Sequence, residues 1–179
     1  MNKKLLVVFV IIFLAMGCWT LLAGKVRADV KAVPVITQSF ASKEVRSEDT
    51  WKVYLNASDP NGGLKNIFAV IDQAGVGEYP VSIIRIQGQN RKELSGYIYL
   101  NTWNPYVVLE FVPLKLIVWV QDRAGNFSAP VVFPLFIQSR AIQEAPPQGV
   151  FKEEDLGPVM VTLHGILGGA GAGGTGHVH

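Results

Sequence analysis

Two short turns in this sequence carry acidic and amide side chains whose oxygens could bind a hard cation. Asp59 and Asn61 lie in Ser-Asp-Pro-Asn-Gly-Gly, and Asp122 and Asn126 lie in Asp-Arg-Ala-Gly-Asn. Carboxylate and amide oxygens are the ligands that Ca²⁺ prefers, although about six to eight are needed. The same residue types also close turns by bonding to their own backbone. The sequence therefore leaves calcium binding and turn closure as alternatives for these four residues.

Four aromatic residues lie close together in the second half of the chain: Tyr97, Tyr99, Trp103 and Tyr106. Exposed rings can stack on the apolar C–H faces of sugars, and Trp and Tyr are frequent anchors of protein interfaces. Aromatic residues are also common in strands for packing reasons alone. We predict a carbohydrate- or partner-binding site here, with core packing as the alternative.

The placement of His and Cys argues against nucleophilic catalysis. His164, His177 and His179 all lie near the C-terminus, and the lone Cys18 lies in an N-terminal apolar run. A single Cys excludes an internal disulfide and a zinc site built on several Cys. With no imidazole or thiol expected in the folded region, Ser-His-acid and Cys-His sites are excluded there, which leaves a carboxylate pair as the catalytic alternative. We expect no enzyme activity and no cofactor other than calcium.

The first 28 residues are typical of an export signal. Two lysines precede an uncharged run over residues 5–24, and Ala28 ends a Val-Arg-Ala sequence that suits cleavage. Two alternatives stay open: the apolar run retained as a membrane anchor, and lipidation at Cys18, whose surroundings loosely resemble a lipoprotein box. In each case we expect residues 29–179 in the periplasm, at the cell surface or secreted.

The net charge changes sign once residues 1–28 are left out. The whole chain has 16 Lys and Arg against 14 Asp and Glu, and four of the basic residues but none of the acidic ones lie in residues 1–28. The remaining 12 basic and 14 acidic residues give a net charge of −2. A nucleic-acid-binding domain would carry a basic patch or stripe, so we expect no nucleic-acid partner.

The segments that carry these side chains are predicted to be strands separated by turns. Apolar residues alternate with polar ones or form short apolar runs at residues 30–37, 51–57, 64–72, 79–87, 94–100, 114–121 and 131–138. Residues 39–50 are polar and are predicted to be a loop. About seven short strands at regular spacing predict an all-β fold, an antiparallel sandwich, with a closed barrel as the alternative.

The composition changes after residue 138. Residues 139–157 contain Pro146-Pro147 and an acidic cluster and are predicted to be a linker. Residues 158–167 alternate again, and we expect them either to pack on the chain's own sheet or to pair with another copy, as in donor-strand assembly. The residues that would form this assembly strand are Val159, Val161 and Leu163. The end of the chain, residues 165–179, has seven Gly and is predicted to be a flexible tail.

Two motifs resemble those of a known fold family. Residues 57–64, Ala-Ser-Asp-Pro-Asn-Gly-Gly-Leu, are similar to the turn after the second strand in bacterial immunoglobulin-like, cadherin-like and fibronectin-like surface domains, and residues 118–128 are similar to their last hairpin. The resemblance covers residues 33–138 and implies an immunoglobulin-like sandwich outside the cytoplasm, with both turns at one end. Val53 and Val118 stand where antibody domains have Cys, so the resemblance is to bacterial surface modules.

These observations together predict a non-catalytic structural or interaction module of the cell envelope or cell surface. We expect protein binding, adhesion or self-association through an edge strand and residues 158–167, with a carbohydrate-binding module as the alternative. Membrane contact is expected only through residues 5–24, if they are retained. The expected domain organisation is 1–28 signal or anchor, 29–138 sandwich, 139–157 linker and 158–179 extension with tail.

Overall fold

A computed structural model of the chain describes residues 33–88, 92–104 and 109–165. The strands of this part are β1 (Val35–Ala41), β2 (Glu44–Val45), β3 (Thr50–Ser58), β4 (Leu64–Gln73), β5 (Gly77–Glu78), β6 (Ser82–Arg85), β7 (Glu93–Asn101), β8 (Val112–Asp122), β9 (Val131–Ile137) and β10 (Asp155–Pro158). Within these residues, no helix has the length and apolar character needed to cross a membrane. The predicted signal, residues 1–28, and nearly all of the predicted tail, residues 166–179, lie outside the described residues.

The strands form two sheets that pack face to face. The first sheet has the order β1-β3-β7-β10, and the second has the order β2-β9-β8-β4-β5, with β6 also beside β4. In both sheets the long strands that lie side by side are antiparallel. The short strands differ, because β2 is parallel to β9 and β10 is parallel to β7. An arrangement in which the first, second and fourth long strands (β1, β3 and β7) share one sheet, and the third, fifth and sixth (β4, β8 and β9) share the other, is that of an immunoglobulin-like sandwich. The all-β sandwich prediction is confirmed, and the described strands form two separate sheets rather than a closed barrel.

Several element boundaries differ from those expected. The predicted loop over residues 39–50 is wrong in part, because β1 continues to Ala41 and β2 follows at Glu44–Val45. Of the single strand predicted over residues 79–87 only β6 forms, and β5 lies before it, on the other side of Pro80. Proline has no backbone N–H to donate to a neighbouring strand, which explains the break in the pairing with β4.

The core lies between the sheets and is filled by alternate residues of the long strands. In β3 the inward side chains include Trp51, Val53 and Leu55, which are all buried. The indole N–H of Trp51 donates to the Ser42 carbonyl at 2.8 Å, so this large ring is buried without an unpaired donor. Burying each such apolar side chain stabilises the fold by about 1.5–3 kcal/mol.

The fourth position of the first sheet is taken by a strand from the end of the chain. In the immunoglobulin-like order this edge belongs to a strand that follows β4, but here β10 lies beside β7. Gly96 allows the approach, because a Cβ there would lie 2.5 Å from the Glu154 carbonyl oxygen. Gly157, at φ +133°, brings β10 against Ile84 of the second sheet. The C-terminal strand therefore closes one side of the sandwich.

The segment between β9 and β10 lies on the outer face of the first sheet. We call residues 139–154 the strap. The Gln143 Oε1 accepts the backbone N–H of Lys52 at 3.2 Å, and the Val150 carbonyl accepts Asn56 Nδ2 at 2.9 Å. The linker interpretation of residues 139–157 thus differs from the structure. Its Pro-rich and acidic composition does not reveal that its polar groups pair with the sheet.

Candidate functional site

The first predicted calcium turn is closed by its own acidic side chain. Asp59 is buried, and its carboxylate accepts the backbone N–H groups of Asn61, at 3.0 Å, and Gly63, at 2.7 Å. The two bonds use different carboxylate oxygens. Both oxygens of Asp59 therefore stabilise the turn that carries them.

The second predicted calcium turn is built in the same way. Buried Asp122 accepts the backbone N–H of Asn126 at 2.8 Å on one oxygen and the Asn126 Nδ2 at 2.6 Å on the other. Burial acts to raise the pKa of the Asp122 carboxyl, but hydrogen bonds from Asn126 and from the backbone of Ala124 and Gly125 hold that pKa below its usual value. The carboxylate is thus kept ionised by its own turn.

The two turns touch at one end of the sandwich, as the resemblance implies. The backbone N–H of Arg123 donates to the Gly63 carbonyl at 2.8 Å. Among the residues that the structure describes, no three His, Cys, Asp or Glu side chains come together as a metal-binding group. Turn closure is the role that the hydrogen bonds support, and calcium binding by the four side chains stays a prediction.

The predicted aromatic site is divided between two places. Tyr97 and Tyr99 lie on the outer face of the first sheet with ring centroids 6.4 Å apart, and Tyr54 lies 5.5 Å from Tyr97. These pairs are tilted by 57° and 59°, so they do not form a flat platform. Trp103 follows β7 and is 61% exposed, whereas Tyr106 lies outside the described residues. Sugar or partner binding by these four residues stays a prediction.

The strap holds this aromatic face with a charged hydrogen-bonding group. The Glu153 carboxylate accepts Lys52 Nζ at 2.9 Å on one oxygen and the Tyr54 hydroxyl at 2.8 Å on the other. The Phe151 ring packs on Tyr54 with 5.6 Å between centroids, and Lys52 Nζ lies 4.2 Å from the centroid of the Tyr97 ring. The outer face of the first sheet is thus occupied by the chain itself.

The ionisation of these groups follows from their contacts. The hydrogen bond from Lys52, followed by that from Tyr54, lowers the pKa of Glu153. The same bond to Glu153 raises the pKa of Lys52. Burial, with the bond to Glu153, raises the pKa of Tyr54. The strap is therefore bound by an ionised carboxylate over the neutral pH range.

The predicted assembly strand is buried in the core of its own chain. Val159 and Leu163 lie between the sheets, Val161 is partly buried against them, and Met160 points outward with 75% of its surface exposed. The backbone N–H of Val159 donates to the Tyr99 carbonyl at 2.7 Å. Of the two expected arrangements, packing on the chain's own sheet is the one seen. Pairing of this segment with another copy stays a prediction.

A buried polar network fixes the end of this segment. The Tyr79 hydroxyl donates to Gln73 Oε1 and accepts from the backbone N–H of His164 at 2.8 Å, and its oxygen lies 2.9 Å from His164 Nδ1. The Gln73 Nε2 donates to the His164 carbonyl. The expectation that the folded region holds no imidazole is therefore wrong. Since the hydroxyl is saturated within the network, the group holds the segment rather than acting as a nucleophile.

Sequence reasoning missed this network, although one signal pointed to it. Gln73 occupies an inward position of β4, in step with Ile67 and Ile71, and is completely buried. A polar side chain at an inward position needs a hydrogen-bond partner. The partner, His164, is remote in sequence, so the sequence indicates that Gln73 needs a hydrogen-bond partner but not which residue provides it.

The outer face of the second sheet carries a large apolar surface that the described residues leave uncovered. We call it the open face. Three of its side chains are strongly exposed, namely Ile83 (62%), Val132 (52%) and Phe127 (47%). It is completed by partly exposed Phe68, Ile117 and Trp119. Phe127 packs edge-on against Phe68 with 5.2 Å between centroids.

Comparison with known proteins adds two solved structures of low similarity. No protein-family model matches the chain, and no curated protein matches it. The PKD domain of an M14-like peptidase from Thermoplasmatales archaeon SCGC AB-540-F20 is 14% identical, with a TM-score of 0.39, over 61% of this chain and 99% of that one. The CARDB domain of a Pyrococcus furiosus protein, solved in complex with di-metal ions, is 8% identical, with a TM-score of 0.34, over 60% and 90%. At this similarity neither structure carries a ligand or a function over to this chain, and the fold assignment rests on the strand order.

Proposed function

We propose that this protein is a non-catalytic interaction module of the cell envelope or cell surface, which binds a protein partner through the open face. The observation that carries the proposal is the exposed apolar surface around Ile83, Phe127 and Val132. A monomeric protein rarely exposes a large continuous apolar patch unless another molecule covers it. The location outside the cytoplasm is supported by the export signal predicted in residues 1–28.

The arrangement of side chains on the open face is that of a protein interface. The centre is apolar and includes Trp119, a residue type enriched among binding hot spots. Exposed charged residues, including Arg85, Glu78 and Lys115, lie toward its ends. An apolar centre with a polar rim is the usual anatomy of a protein–protein interface.

The described polar clusters support a non-catalytic role. The carboxylates of Asp59 and Asp122 close turns, Glu153 holds the strap, and His164 anchors the C-terminal segment. Each of these groups is used by the fold.

Site-specific photo-cross-linking in the native envelope tests the proposal. A photoreactive residue at Ile83 should give a cross-linked protein adduct, since this side chain lies in the open face. The same residue at Ile142, in the strap and 85% exposed, is the matched control and should give none. Absence of an adduct at Ile83, or equal adducts at both positions, would refute the open face as the binding surface.

Carbohydrate binding is a second candidate, favoured by one observation. Trp103 is 61% exposed beside the end of β7, and an exposed ring of this size can stack on the apolar face of a sugar. Trp103→Ala would abolish such binding and leave adducts at Ile83 unchanged. A glycan array with no signal for the wild-type protein would remove this candidate.

A further inference from the structure

We propose that the partner of the open face is a second copy of this chain, packed face to face with its strands antiparallel about a two-fold axis. This inference rests on the proposed function and names the partner. It is carried by the order of charges and of apolar side chains on the face.

The charges lie at opposite ends of one edge of the second sheet. Arg85 of β6 pairs with Asn66 of β4, and Glu78 of β5 pairs with Asp72 of β4. Both strands flank β4 on the side away from β8. The six-residue separation along β4 places the two charges about 20 Å apart. Within the described residues, neither Arg85 nor Glu78 joins an ion pair.

A two-fold axis across the strands would pair these charges twice. Such an axis, lying in the interface, exchanges the two ends of each strand and keeps each strand opposite its own copy. Arg85 of one copy then faces Glu78 of the other, and the reverse pair forms by symmetry. An axis along the strands would instead place the β6 edge opposite β9, whose outward residues Val132, Pro134 and Phe136 carry no charge.

Two outward charges beside this edge do not oppose the arrangement. Asp72 and Lys115 are direct neighbours on β4 and β8. Opposite charges at neighbouring positions of adjacent strands offset one another. Glu78 is therefore an acidic group without a cation on its own edge of the sheet, opposite in sign to Arg85 at the far end, whereas exposed Glu44 of β2 lies at the opposite edge.

The apolar side chains form two rows that complement one another under the same axis. The strand register places Ile83, Phe68 and Trp119 in one row across the sheet. It places Ile117 and Val132 in the next, together with Val70, which is itself buried. The midpoint between the charged ends falls at Ala69, between the two rows.

The axis therefore lays the row that contains Phe68 and Trp119 in one copy on the row that contains Ile117 and Val132 in the other. Trp119 of one copy faces Ile117 of the second copy, so that the two indole rings are not forced against each other. Two β-sheets pack readily in this aligned manner, with side chains interdigitating across the interface. The outer face would become a second core layer shared by the two copies.

Sedimentation equilibrium of the chain from residue 29 to 179 tests the inference. This chain contains every residue that the structure describes. We expect the chain to form a dimer with a dissociation constant below ~100 µM. Arg85→Glu and Glu78→Arg should each weaken dimerisation at least about tenfold, through repulsion at both symmetric contacts. The double variant, with the charges exchanged, should recover most of the wild-type affinity.

A matched pair of variants separates the open face from surface effects. Ile83→Asp should abolish the dimer, whereas Ile142→Asp in the strap should leave it intact, and circular dichroism checks that both variants fold. A monomer at all concentrations, or a double charge variant no tighter than the single ones, would overturn the two-fold arrangement. An adduct between Ile83 and a different protein would then still support the proposed function, so the two failures are distinguishable.

Discussion

The two outer faces of the sandwich differ in how the chain covers them: the strap lies over the first sheet, whereas the described residues leave the outer face of the second sheet exposed. On the first sheet, the strap lies over Tyr54 and is held by Lys52 and Asn56. On the second sheet, Phe68 and Trp119 have no such cover among the described residues. The covered face mixes rings with hydrogen-bonding groups, which suits a polar strap. The open face is apolar at its centre, which suits another folded surface, because a lone strap would leave its backbone polar groups unpaired there.

Removing the strap and everything after it is the strongest way to break this contrast. A chain that ends after Ser139 loses β10 and the buried Val159 and Leu163. We expect the free energy of unfolding to fall by at least about 3 kcal/mol, since each large apolar side chain stabilises by about 1.5–3 kcal/mol when buried. Urea unfolding followed by tryptophan fluorescence measures the loss. An unchanged midpoint would show that the first sheet needs no cover.

A milder change tests the same segment if the shortened chain does not fold. Leu163→Ala should reduce the free energy of unfolding by about 2–5 kcal/mol, because it leaves a cavity between the sheets. Met160→Ala removes a side chain that is largely exposed and should stay within about 0.5 kcal/mol of wild type. Equal losses for the two variants would contradict the alternation of buried and exposed residues in this segment.

Tyr79→Phe should have an intermediate effect by loosening the end of the segment. The variant leaves Gln73 Oε1 and the His164 N–H without their shared partner. A buried polar group without a hydrogen bond costs about 1–3 kcal/mol, which thermal unfolding can detect. Tyr99→Phe is the matched control, since the Tyr99 hydroxyl makes no hydrogen bond with described residues and its loss should change little.

Glu153→Gln should give the smallest effect and the most informative pH dependence. The pair with Lys52 is largely exposed, so its loss should cost no more than about 1 kcal/mol. Because the folded state lowers the pKa of Glu153, the stabilisation is present at neutral pH and is lost as the pH falls through the folded pKa. The difference between wild type and variant should therefore shrink from pH 7 toward pH 3. A difference that grows on acidification would contradict this assignment, and Glu93→Gln controls for the loss of a charge.

The long strands could be predicted because their signal is local. Alternation over residues 64–72 and 114–121 locates β4 and β8 to within about two residues. The turns at Asp59 and Asp122 were predicted at one end, and they touch there. Their backbone hydrogen bonds could not be predicted, because a carboxylate in a turn looks the same in sequence whether it binds a cation or its own backbone.

The strap and β10 could not be predicted because their position depends on remote pairing. Asp155 pairs with Tyr97, far earlier in the chain, and nothing in the local sequence specifies that neighbour. The open face gave a partial signal: β4 is apolar on both sides, with Ile67 inward and Phe68 outward. Sequence alone does not say which of two such faces the chain will cover itself. Tyr97 also points outward, but it lies on the face that the strap covers, and its backbone N–H donates to the Glu154 carbonyl.

The late position of β10 in the chain has a consequence for the time at which this domain can fold. The edge of the first sheet is completed by residues 155–158, and the last core positions are filled by Val159 and Leu163. Chains emerge N-terminus first, and contacts between distant residues form late because long loops must close before they form. A chain threaded through a membrane would thus complete its sandwich only after most of it had crossed. In an exported chain, this C-terminal segment would postpone folding until transport is nearly finished.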